Sequence, residues 1–140
     1  MKQATLRAIL RTRLSQVADL PLVIWEATNA AIGAVVRIED ELRAGTAFNL
    51  ASGATQTRPL YLLTIHSPPD KRIAELDRLA DAISNAFEPG RTLTDDARTH
   101  FLEITTLDAG AHRTLASGWG YRRCTVGLSA TAFRTTLQPA

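Results

Sequence analysis

The sequence predicts an α+β fold: a single mixed or antiparallel sheet of four to five strands with two helices packed on one face, in the order α-β-β-β-α-β-β. Three observations carry this expectation. Two segments repeat apolar residues at three- and four-residue spacing, several shorter runs alternate or are rich in β-branched and aromatic residues, and proline, glycine and polar clusters separate them. With 140 residues and 45% hydrophobic content, residues 1–140 form one domain with its own core.

Thr5 is placed to cap a first helix whose stripe is Leu6, Ile9, Leu10, Leu14 and Val17, with Arg7, Arg11 and Arg13 mostly on the other side. Asp19, Leu20 and Pro21 stop it, because proline turns its predecessor away from helical angles. Leu22 to Trp25 then read as a short strand with Trp25 as an apolar core anchor, and Glu26 to Gly33 as a polar connection. From Val35 to Arg43 the pattern alternates, with Val36, Ile38 and Leu42 on one face and Arg37, Glu39, Glu41 and Arg43 on the other.

The stretch AGTAFNLASGATQT, residues 44–57, is small and polar, and is expected to be a long flexible loop with Phe48 and Leu50 as its bulky apolar members. Leu60 to Ile65 are apolar on both faces, which suits a central strand covered on both sides. Ser67, Pro68, Pro69 and Asp70 open a second helix with the stripe Ile73, Leu76, Leu79, Ala80, Ile83 and Phe87, and Glu88-Pro89-Gly90 ends it. Two more strands are expected near His100 to Leu107 and near Trp119 to Ala130.

Little here points to catalysis. His66, His100 and His112 belong to no metal-binding or acid–base pair motif. Asp95 and Asp96 read as turn formers before they read as ligands of a divalent ion, and Cys124, between apolar strand residues, reads as a small buried hydrophobe. Ser117-Gly118-Trp119-Gly120 lacks the glycine–nucleophile–glycine elbow, and NLASGATQT, within the 44–57 stretch, lacks the lysine and the following helix of a phosphate loop. The expectation is no enzyme, no cofactor and no metal.

The formal net charge is +2, most of the 16 basic residues are arginines, and no acid follows Asp108 whereas Arg113, Arg122, Arg123 and Arg134 do. A small nucleic-acid-binding or regulatory α+β module using this basic C-terminal third is therefore one functional expectation. Arg122 and Arg123, as strand neighbours, must point to opposite faces. The strip Arg37, Glu39, Glu41 and Arg43 has an ordinary reading as a solvated strand face and a sharper one as an interface with an identical neighbour, where charge sets register. No apolar run approaches the length of a membrane span and no signal-peptide pattern opens the chain, so a cytosolic protein without membrane contact is expected.

The succession LPLVIWEATNAA, a charged strand, a long loop, YLLTIHSPPD, IAELDRLADAISNAF ending in EPGRTL, and a last GWGYRRCTVGLSATAF resembles the small tail terminator proteins of long-tailed bacteriophages. The resemblance spans nearly the whole chain. It implies a non-catalytic minor tail protein that works in the bacterial host cytoplasm during assembly and then in the virion tail. Copies would join in a homo-oligomeric ring, commonly of six, that caps the tail-tube protein and presents its other side to the head-completion protein, while DNA passes through without sequence-specific recognition. On this reading Arg37, Glu39, Glu41 and Arg43 meet the neighbouring subunit, and Phe48, Asn49 and Leu50 dock a partner.

Overall fold

The computed structural model describes residues 3–25, 36–51, 53–69 and 73–132. The first helix, α1 (Gln3–Ser15), buries Leu6, Ile9, Leu10 and Leu14, and Val17 packs against the same core. It begins before Thr5, which is thus inside the first turn and not its cap. The arginines are not simply turned to water. Arg11 reaches Asp40, and Arg13 Nε donates to the carbonyl of Ala86 at 2.9 Å. Asp19 sits at φ 55°, the left-handed conformation in which helices often end. The second helix, α2 (Ile73–Ala86), buries Leu76, Leu79, Ala80 and Ile83, with Phe87 just beyond its end. Its expected opening at Asp70 and the side chain of Ile73 lie outside what is described.

The strands are β1 (Leu22–Trp25), β2 (Arg37–Arg43), β3 (Ala47–Asn49), β4 (Thr55–Thr57), β5 (Leu60–Ser67), β6 (Thr92–Thr94), β7 (His100–Asp108), β8 (Arg113–Thr114) and β9 (Gly120–Ala132). All belong to one nine-stranded sheet, so the fold is α+β but with more strands than the four to five expected. The surplus, β3, β4, β6 and β8, consists of pieces two to three residues long inside segments that read as turns or loops. The sheet is mixed, because β1 runs parallel to β2 and the other pairings are antiparallel. β1 pairs along β2 from Leu22↔Arg37 to Trp25↔Asp40, so the charged strand β2 is internal and not the outer strand. Glu26 to Gly33, the expected polar connection, and the side chain of Trp25, the expected core anchor, lie outside the described residues.

The expected long loop is a hairpin. β3 pairs with β4, and β4 continues onto β9 in the register that β5 holds, from Thr55↔Ala132 through Leu60↔Gly127 to Ser67↔Gly120. β4 and β5 are thus one strand interrupted at Arg58-Pro59, where proline has no N–H for the ladder. β2 and β3 form the outgoing limb and bend at residues 44–46, where Gly45 lies so close to the Arg58 carbonyl that an added Cβ would overlap it. The hairpin turns at Leu50–Ala54, closed by Leu50 N–H to the Ala54 carbonyl at 2.8 Å.

Both helices cover one face of this sheet. The face carries Ile38 and Leu42 of β2, Tyr61, Leu63 and Ile65 of β5, Cys124, Val126 and Ala130 of β9, and Leu102 and Ile104 of β7, all buried. Tyr61 and Phe87 pack with ring centroids 6.0 Å apart. The helices cover one face of β5; on the other, Leu62 is 5% and Leu60 39% exposed, so the expectation of cover on both sides is met at Leu62 and not at Leu60.

An acid lies inside this apolar face. Asp40, 2% exposed, accepts from Arg11 Nε at 2.9 Å and Nη2 at 3.2 Å and from the Tyr61 hydroxyl at 2.8 Å. Burial, and then the adjacent Asp40 charge, push the Tyr61 hydroxyl pKa far up, so it stays a donor.

Candidate interaction surface

With the helices on one side, the opposite face of the sheet is where side chains are presented. Cross-strand partners project to the same face, so the registers fix its composition. One row across four strands reads Arg37, His66, Tyr121 and Arg113, and the next reads Glu39, Thr64 and Arg123. A third reads Glu41, Leu62, Thr125 and Asp108. Arg37, Glu39, Glu41 and Arg43 therefore do share the open face, as their alternation in sequence predicts.

They are also partly matched among themselves. Arg37 Nε lies 3.3 Å from Glu39 Oε1, and Arg43 Nη2 lies 3.5 Å from Glu41 Oε2. The Arg37 guanidinium stacks over the Trp119 ring, 5.1 Å from its centroid, and Arg123 Nε donates to Thr64 Oγ1 at 3.2 Å. Phe48, Asn49 and Leu50 fall on β3 and the hairpin turn; Asn49 is exposed, Leu50 is 40% exposed, and the Phe48 side chain lies outside the described residues.

His66 is a half-buried member of the open face, with Nε2 3.4 Å from Glu39 Oε2 and no well-formed hydrogen bond to that nitrogen. Its pKa is lowered from 6.5, chiefly by burial; Glu39 works against the shift while Arg37 and Arg123 add to it. Above pH 6.5 the imidazole is neutral in folded and unfolded chains alike. Below that, the unfolded chain takes up a proton that the folded one resists, so stability falls as the pH drops through the folded pKa. Urea melting midpoints should decline on acidification from neutral pH, and His66→Gln should remove part of that decline. An identical decline in the variant would show that His66 does not contribute.

Asp95, Arg122 and their neighbours are held by structural partners. Asp95 accepts from Thr99 N–H at 2.9 Å, Thr99 Oγ1 at 3.0 Å and His100 N–H at 3.1 Å, and pairs with His100 Nδ1 at 2.8 Å. These bonds, that to the His100 side chain foremost, hold the carboxyl well below the usual carboxylate range and make Asp95 the organiser of the β6–β7 turn. A cleft of about 260 Å³ between this turn and α1 includes Arg13, Gln16, Asp95 and Asp96 but no imidazole. His112 sits in a smaller cleft of about 140 Å³ beside Ser67 and Gly120. Among the described residues no three His, Cys, Asp or Glu side chains are grouped to hold a metal ion. Cys124 is buried, and burial pushes its thiol up to about 11, which keeps it protonated. Arg122 points to the helix face, donating to the Ala109 carbonyl at 2.9 Å and to Asp77 at 2.8 Å, opposite to Arg123 as strand geometry requires.

Sequence reading missed two features. Asp40 occupies an apolar-parity position between Ile38 and Leu42, which is a local signal of a buried acid, but its partners Arg11 and Tyr61 are 29 and 21 residues away. The hairpin of residues 44–57 has no such signal, since β4 is fixed by β9 and β3 by β4.

This arrangement defines a class of protein: a two-layer α+β domain with one sheet face left open and a long hairpin extending from it. No family model matches the chain, and no curated protein matches it. Among solved structures 18 chains match, and one superposes with a TM-score of 0.66 at 16% identity, over 100% of this chain and 99% of its own. At that identity the likeness shows a shared fold. Among the described residues no helix is long and apolar enough to cross a membrane.

Proposed function

We propose that the chain is a structural subunit of a long-tailed phage or prophage tail, the tail terminator. Copies close into a ring, hexameric as in the family it resembles, that caps the tail tube, ends its growth and offers the head-completion protein a docking surface. The observation that supports this reading best is the open sheet face, lined by charges of both signs on β2 and left uncovered by both helices. A contact between unlike surfaces of successive copies can close on itself and leave no free end, which is what stopping a tube requires. The hairpin suits partner docking, because its turn exposes Leu50 on a limb anchored by β9. DNA passing through such a ring needs no base-reading element.

Negative-stain electron microscopy of purified protein mixed with tail tubes should show an annulus at one tube end, and sedimentation should show the matching closed oligomer. Bare tubes and a monomer at every protein concentration would overturn the proposal.

A further inference from the structure

The open face has a chemically distinct end. The first two rows place Arg37, His66, Tyr121 and Arg113 beside Arg123, and Trp119 lies immediately before Gly120, where β9 begins. Arg37 is held between Glu39 and the Trp119 ring. Arg113 and Arg123 are exposed, and among the described residues no carboxylate forms an ion pair with either. The one acid of these two rows, Glu39, is taken up by Arg37 and His66, and further acids lie farther along, at Glu41 and Asp108 in the third row. Cations interleaved with two half-buried aromatic rings on a sheet face offer phosphate contacts and stacking surfaces together. A duplex keeps its base faces stacked inside and could use only the cations.

We propose that this end of the open face binds single-stranded nucleic acid, with Arg113 and Arg123 on the phosphates and the Trp119–Tyr121 edge against the bases. The proposal goes beyond the ring reading and does not depend on it. It also relocates the cationic surface expected of the C-terminal third, because Arg122 faces the helices and is engaged by Asp77.

The test is fluorescence anisotropy of a labelled oligothymidylate titrated with the full chain across a salt series. Wild type should bind at low salt and weaken as salt rises. Arg113→Gln with Arg123→Gln should flatten the slope of log affinity against log salt by about 1.4, the loss of two phosphate contacts, without changing the melting temperature. Trp119→Leu should weaken binding about tenfold and leave the slope alone; if that variant melts early, the arginine pair decides. Absence of binding at low salt, an unchanged slope in the double variant, or equal affinity for a duplex of the same length would overturn the proposal. Sedimentation of the same samples separates the two readings, since binding without a closed oligomer sinks the ring and a closed oligomer without binding sinks this inference.

Discussion

Asp40→Ala should cost the fold about 3–5 kcal/mol, the range for removing one partner of a buried charge pair. The carboxylate is 2% exposed and takes two bonds from Arg11 and one from Tyr61. Without it the Tyr61 hydroxyl, on a residue with 0% exposure, loses its acceptor. The Arg11 guanidinium, whose side chain is 25% exposed, is left only partly hydrated. Tyr61→Phe removes one hydrogen bond and should cost only about 1–2 kcal/mol. Replacing both charges, Arg11→Met with Asp40→Leu, should recover much of the loss, because two apolar side chains leave no stranded charge. Denaturant unfolding measures all three variants. A loss under about 1 kcal/mol in Asp40→Ala would show that the pair is not what ties α1 to β2.

That pair also marks the limit of what the chain reveals by itself. The stripes of α1 and α2 and the strands β5, β7 and β9 are legible because helical spacing and alternation are local properties, and burial follows them residue by residue from Leu6 to Leu14 and from Leu76 to Ile83. The same parity rule sorts Arg122 from Arg123 and puts Arg37, Glu39, Glu41 and Arg43 on one face. What is not legible is fixed by distant partners. Thr55–Thr57 is a strand because Ala130–Ala132 lies beside it, not because of its own propensity, and β6 and β8 are held by β7 and β9 in the same way. β1 beside β2 makes the charged strand internal, a fact that no local pattern in Arg37–Arg43 encodes. The candidate surface was legible in its composition along β2 but not in its extent, since the row from Arg37 to Arg113 exists only once four strands are in register.

Glu39→Lys with Glu41→Lys should abolish ring assembly while leaving the monomer folded, on the reading that the β2 strip meets a neighbouring copy. Along the open face the strip reads plus, minus, minus, plus at Arg37, Glu39, Glu41 and Arg43. In a ring the strip meets a different surface of the next copy, which must present the complementary pattern. The strip thus specifies register more than it supplies affinity. Reversing both glutamates makes all four positions cationic, and the complementary surface then repels the middle of the strip. The cost to folding is modest, because the broken pairs, Arg37–Glu39 at 3.3 Å and Arg43–Glu41 at 3.5 Å, are at the surface and worth up to about 1 kcal/mol each. Salt separates this mechanism from a damaged fold. Ions screen exposed charges over roughly 8–10 Å, so raising the ionic strength should weaken wild-type assembly and partly restore it in the variant. Sedimentation across a salt series, with melting curves on the same samples, reads both effects. Wild-type rings indifferent to salt, or a variant that assembles as well as wild type at low salt, would show that the subunits meet through another surface.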